Sequence, residues 1–244
     1  MPMQRVNAFL AAFLIFCRRH RTISYALLGI LFFLLTALSQ LDVDGSNLWL
    51  IKTALTLVIA FAIIAVSVHR WLLTLSIVLA AFYLVSLWQR IPEHWATLTY
   101  TIDLAGTLFF LLITAELFRY VIAGSEINRA RVFAAVTGYL ISIWFFAGTY
   151  TQIARHNPDA FTNINDIPQT RLISEMVYFS VVTQTTLGYG DIAPLSGRAR
   201  ALVVAQALFG VLYLAVAIAR IVGLVSASRQ HDLNPPRNHD PPTR

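Results

Sequence analysis

Nine consecutive residues carry the chemistry that can be read from this sequence: Thr183-Gln184-Thr185-Thr186-Leu187-Gly188-Tyr189-Gly190-Asp191. No acid, base or nucleophile stands out among them. The useful groups are backbone carbonyls. Two glycines alternate with Leu187 and Tyr189, and glycine reaches conformations closed to other residues. Such a backbone lets successive carbonyls point the same way. Several copies of the run around one axis would stack rings of oxygens that replace the water around a cation, and Thr186 would add a ring of hydroxyls at one end.

The run needs elements to hold it, and the composition says where they lie. The chain has 244 residues, 57% hydrophobic and only 12% charged, against about 25% charged for an ordinary soluble domain. A lipid bilayer is the natural solvent for such a chain. Six segments approach the roughly 20 apolar residues that cross it as a helix: 22–41, 48–68, 71–89, 95–118, 132–154 and 201–225. The expected fold is therefore an all-α membrane protein with six transmembrane helices. A seventh apolar stretch, 6–17, is too short to span. It is followed by Arg18, Arg19 and Arg21 rather than by small residues. It reads as part of an N-terminal amphipathic segment, 1–21, lying in the membrane interface.

Between the fifth and sixth spans the chain is polar from Gln152 to Arg171, then apolar for about fourteen residues, 172–185. That length cannot cross the bilayer, but it suits a helix that enters and turns back. Irregular backbone at membrane depth is tolerated where protein buries it or water lines it. The short helix would aim the negative end of its dipole inward, favouring a cation there.

The net charge of +6 reflects topology rather than nucleic-acid binding, because the basic residues flank the apolar runs. With the N-terminus inside, twelve of the 18 basic residues are cytoplasmic and six, including Lys52 and Arg155, are outside. Both termini are then cytoplasmic and the protein is expected in the cell membrane. The lone cysteine, Cys17, excludes a disulfide or thiolate cluster within one chain. No nucleophile–base set, His/Cys metal spacing or P-loop is present, so an enzyme is not expected and no cofactor is implied.

The nine residues, placed after a short apolar helix and between two spans, resemble the T-x-x-T-x-G-Y-G-D signature of potassium channels. The likeness covers about residues 131–225. The six-span arrangement resembles the wider tetrameric pore-loop cation channel superfamily, prokaryotic in type. The resemblance implies a homotetramer conducting K+, with filter residues Thr186, Leu187, Gly188, Tyr189 and Gly190. It implies support from Asp191, Tyr178 and Thr185, with a hydrogen bond between Asp191 and Tyr178. Val182 stands where some small bacterial channels have a glutamate. Gly210, near the middle of the sixth span, matches a gating hinge, or alternatively a site of close helix packing. The implied partners are K+, membrane lipids and further copies of the chain. The domains follow: 1–21 interfacial, 22–120 four membrane helices like a sensor domain without sensing, 125–226 pore, and 227–244 a disordered cytoplasmic tail. Alternative readings are a nonselective cation channel and a nonconducting regulatory subunit.

The fourth span lacks the repeated arginines of voltage-sensing relatives, so little voltage dependence is expected. Its carboxylates, Asp103 and Glu116, lie near its ends and read as solvated or paired, Glu116 with Arg119 or Arg70. His69 and His94 read as interfacial. Arg220 is expected to face headgroups or protein rather than a pore.

Overall fold

The computed structural model describes residues 21–40, 53, 55–60, 62–63, 70–88, 96–123, 129–169 and 171–233. Its long elements are all helical: α1 (Arg21–Leu38), α2 (Arg70–Trp88), α3 (Ala96–Ala123), α4 (Arg129–His156), α5 (Leu172–Gln184) and α6 (Gly197–Leu233). A 3₁₀ turn, Pro158–Ala160, lies between α4 and α5. Three stretches are long and apolar enough to cross a membrane: Asp103–Ala123 of α3, Arg129–His156 of α4 and Gly197–Gly223 of α6. Thr22–Leu38 and Thr74–Val85 are shorter apolar helices. Much of the second expected span, the interfacial segment 1–20, Cys17, Lys52, His69 and His94 lie outside the described residues.

Local chemistry sets the ends. α4 stops where Pro158 cannot continue it, and the side chain of Asn157 accepts from the backbone N–H of Asp159 to cap the following turn. Ser196 caps α6, its Oγ accepting from the Ala199 N–H at 3.2 Å. The far end of α6 corrects the expected tail. Helix continues to Leu233, past the boundary placed at residue 227. No proline or glycine interrupts 224–233, and the first helix breaker is Pro235, which disfavours helix at Asn234 before it. The remainder of the tail, 234–244, is outside the described residues.

α4 is the hub, packing against α1, α3, α5 and α6. One hydrophobic cluster runs through all of these helices, so the core does not divide between 22–120 and 125–226. Phe32 of α1 meets Phe110 of α3 edge-on at 6.1 Å, and Phe110 meets Trp144 of α4 at 6.1 Å. In lipid, burial from water adds little to such contacts, so close packing and interhelical hydrogen bonds hold them. Two bonds tie α1 to α4: Trp144 Nε1 donates to Thr36 Oγ1 at 3.1 Å and Thr137 Oγ1 to the Tyr25 carbonyl at 2.9 Å. α6 is the least covered of the three stretches long enough to cross a membrane. Only 22% of its apolar stretch is buried, against 56% for α4, which leaves a long apolar face to be covered by lipid or protein.

Candidate functional site

The last four carbonyls of a helix have no partner inside it. In α5 the residues that follow, together with one side chain of α4, supply partners for all four. The Val181 carbonyl accepts the Thr185 N–H at 2.9 Å and the Thr185 hydroxyl at 2.7 Å. The Val182 carbonyl accepts the N–H groups of Leu187 (2.9 Å) and Gly188 (3.3 Å). The Thr183 carbonyl accepts the Thr186 N–H at 3.1 Å. The Gln184 carbonyl accepts the Tyr139 hydroxyl at 3.0 Å. The start of segment 186–190 is thus turned back onto the helix end by its own donors.

Its carbonyls are treated differently. Among the described residues, no hydrogen bond runs to the carbonyls of residues 186–190. The backbone alternates as well. Thr186, Gly188 and Gly190 have φ of 61°, 57° and 81°, while Leu187 and Tyr189 do not enter positive φ. Alternation of this kind undoes the flip between successive peptide planes, so like groups gather on one side, as N–H groups do in an anion-binding nest. Glycine adopts positive φ freely. Thr186 is β-branched, and the left-handed region is a genuine outlier for it. Such strain persists where the surroundings over-determine it, here the bond from its N–H to Thr183. Leu187 and Tyr189 are 55% and 67% exposed, so the single chain leaves more than half of each uncovered.

The end of the segment remote from α5 is clamped from two sides. The Tyr178 hydroxyl donates to Asp191 Oδ2 at 2.6 Å, and the Ile192 N–H donates to Asp191 Oδ1 at 2.9 Å. Asn163, itself at φ 56°, donates through Nδ2 to the Asp191 carbonyl at 2.6 Å. Thr162 and Ala193 exchange two bonds of 2.9 and 2.8 Å, and Leu195 N–H reaches the Ala160 carbonyl at 2.8 Å. Beneath this clamp, Tyr150, Phe161 and Phe179 form an edge-on aromatic triangle with centroid separations of 5.0 to 5.7 Å.

The bond from Tyr178, followed by that from the Ile192 N–H, holds the Asp191 carboxyl below its ordinary value of 3.8. A carboxylate lowered on folding stabilises above its ordinary value, and the contribution fades as pH falls through the lowered value. Removal of the hydroxyl in Tyr178→Phe is expected to weaken the clamp by about 1 kcal/mol, below the usual range for a charged acceptor because the pair is open to solvent. A roughly fivefold rise in the rate at which the clamped segment loses its structure would follow, and the wild-type difference between neutral and strongly acid pH should shrink. Hydrogen exchange at Ile192 and Ala193 in both proteins measures this; equal rates would contradict it.

Behind the start of the segment lie Ser180 and Gln206, which the sequence did not single out, together with Gln184 of the nine-residue run. Ser180 and Gln184 of α5 and Gln206 of α6 are buried at 0–1% exposure and joined in one network. The two N–H groups of Gln206 Nε2 are shared among the Ser180 carbonyl (3.0 Å), Ser180 Oγ (2.7 Å) and Gln184 Oε1 (3.1 Å), and its Oε1 accepts from the Tyr150 hydroxyl at 2.6 Å. Gln184 Nε2 in turn donates to the Tyr139 carbonyl and Ser142 Oγ, each at 2.9 Å. The available signal was a glutamine within each apolar run.

Gly210 sits on this network. A Cβ built there would lie 2.7 Å from the Gln184 carbonyl oxygen, so the close-packing reading has a definite partner, and α6 runs unbroken through it. In α3, Glu116 pairs with Arg119 at 2.7 Å. Asp103 pairs with Arg155 of α4, a partner the sequence did not suggest. Arg220 is partly buried on α6.

Residues 161–227 match the family described as "ion channel". Over 101 residues the chain is 31% identical to "Two-pore potassium channel 5" of Arabidopsis thaliana, covering 41% of this chain and 23% of that protein. The chain therefore spans less than a quarter of the length of this curated relative. No solved structure matches. The ion channel match falls on the segment, its clamp and α6, and together with the long apolar helices it marks the chain as a membrane protein with an ion-channel domain at residues 161–227.

Proposed function

We propose that this chain is one subunit of a homotetrameric potassium-selective channel, with residues 125–226 as its pore domain and segment 186–190 as the filter. The observation that carries the reading is the treatment of that segment. Positive φ recurs at alternate residues, the first N–H groups are bonded back to α5, and the carbonyls of 186–190 are left without hydrogen-bond partners among the described residues. Unpaired carbonyls aligned on one side are ligands for a dehydrated cation. Four such segments around an axis would supply the coordination that water gives up. The exposed Leu187 and Tyr189 side chains and the bare apolar face of α6 support assembly with further copies and contact with lipid. The intact Gly188-Tyr189-Gly190 and the likeness to a protein named a potassium channel favour K+ over other cations. α5 enters and returns on the outer side, and both termini are cytoplasmic in the cell membrane.

The purified chain, reconstituted alone in liposomes, is expected to release K+ down its gradient without a partner protein. A purified tetramer that passes no ion would contradict the reading and favour a regulatory subunit.

Gating by voltage is not expected. α3 carries one basic residue, Arg119, and Glu116 neutralises it. One elementary charge crossing the field is worth about 2.3 kcal/mol per 100 mV, and α3 supplies no row of such charges. Conductance in planar bilayers should change little from strongly negative to strongly positive potential. A steep sigmoidal curve requiring several gating charges would sink this expectation.

A further inference from the structure

Gln206 places an amide where leucine would be cheaper. A buried polar group costs free energy unless its hydrogen bonds are made, and polar residues inside a membrane most often serve function. Gln206 is 0% exposed, and both ends of its amide are used. The geometry fixes which end is which. The Ser180 carbonyl at 3.0 Å can only accept, so the atom facing it is the nitrogen. Ser180 Oγ already donates to the Ile143 carbonyl at 2.8 Å, so it too accepts from Gln206. The oxygen of Gln206 is then left for the Tyr150 hydroxyl.

The direction of bonding continues into Gln184. Its Oε1 is occupied by Gln206, which turns its Nε2 toward Tyr139 and Ser142 of α4. Its backbone carbonyl is held by Tyr139 and lies against Gly210 of α6. Gln184 is the last residue of α5, two positions before Thr186. The neighbouring carbonyls of Val182 and Thr183 hold the N–H groups of Leu187, Gly188 and Thr186. A turn or slide of α6 therefore acts on the base of segment 186–190 through one amide.

We infer that Gln206 is a positioning residue for the base of the filter, acting through Gln184 and Ser180 so that the placement of α6 sets the geometry of residues 186–188. The inference rests on the channel reading above. It assigns α6 a path to the filter made of directed hydrogen bonds.

The test uses the full-length tetramer reconstituted in planar bilayers, with wild type, Gln206→Leu, Gln206→Glu and Tyr150→Phe compared for K+-over-Na+ permeability ratio and open lifetime. Leucine keeps the approximate volume and removes the amide. Assembled Gln206→Leu is expected to lower the ratio about tenfold and shorten openings, the scale set by loss of buried hydrogen bonds. Gln206→Glu, kept protonated by burial, restores a donor and should recover most of the wild-type ratio. Tyr150→Phe keeps its ring, loses only the bond that orients the amide, and should shift both readouts in the same direction by about threefold. Wild-type values in assembled Gln206→Leu would overturn the inference, as would a Gln206→Glu no better than the leucine variant. If Gln206→Leu does not assemble, unchanged values in Tyr150→Phe overturn it. A wild-type tetramer without current fails at the first step and overturns the channel reading, and with it the role given to Gln206. A conducting wild type with indifferent variants overturns the positioning role alone.

Discussion

Gly188→Ala is expected to abolish selective K+ permeation while leaving the helices folded. The backbone at Gly188 has φ of 57°, and a Cβ there meets nothing within 4 Å in the single chain. A clash therefore is not the cause. The cost is conformational, about 1–2 kcal/mol for an L-residue in the left-handed region. Thr186 already carries that burden two residues earlier, and in a tetramer each filter would carry it four times over. Relaxation of φ at residue 188 would break the alternation that keeps the carbonyls on one side. The K+-over-Na+ permeability ratio should fall by about a hundredfold or more, or current should vanish, since misplaced ligand dipoles act directly on a dehydrated ion. Gly197→Ala is the control: it also has open space around its Cβ position but no positive φ. Its permeability ratio should match wild type. A selective Gly188→Ala channel would show that the positive φ at this residue is not needed.

Gly210→Ala is expected to destabilise the protein even though alanine is the better helix former. The propensity gain is about 1 kcal/mol at most. Against it stands the Gln184 carbonyl oxygen, 2.7 Å from the new Cβ, with Gln184 Cγ at 3.1 Å. The obstacle is backbone at the end of α5, already bonded to Tyr139, so it cannot swing aside. Overpacking of this kind costs about 1–3 kcal/mol, which outweighs the propensity gain and makes the net effect unfavourable. Gly223→Ala, on the same helix with nothing within 4 Å, should go the other way and gain up to about 1 kcal/mol. Thermal unfolding in detergent distinguishes the two: a lowered midpoint for Gly210→Ala and an equal or raised one for Gly223→Ala. A raised midpoint for both would mean that α6 and α5 are not held as close as described.

Features that depend on neighbouring residues were legible in the sequence. Apolar runs at 132–154 and 201–225 correspond to the cores of α4 and α6, and the short run before the glycines corresponds to α5. The helices exceed the apolar runs because helix stops at breakers rather than where hydropathy falls, as at Pro158 and before Pro235. The Tyr178–Asp191 bond was implied by the resemblance to potassium channels rather than read from the spacing, and the structure contains it. Contacts made across the fold were not legible. Nothing in the sequence joined Gln206 to Gln184, since their pairing exists once α5 lies between α4 and α6. Asp103 and Arg155 are likewise distant in sequence and meet only when α3 packs on α4. The positive φ of Thr186 ran against residue preference, because threonine disfavours that region and is held there by the bond from its N–H to Thr183. The second span, much of which is outside the described residues, remains an expectation from hydropathy alone.

K+ selection by segment 186–190 is tested most directly by the reversal potential of the purified wild-type chain, reconstituted alone in a planar bilayer with high K+ and low Na+ on one side and low K+ and high Na+ on the other. A value close to the K+ equilibrium potential, unchanged when the Na+ concentration is varied, is expected. A reversal potential near zero, moving equally with either ion, would contradict it.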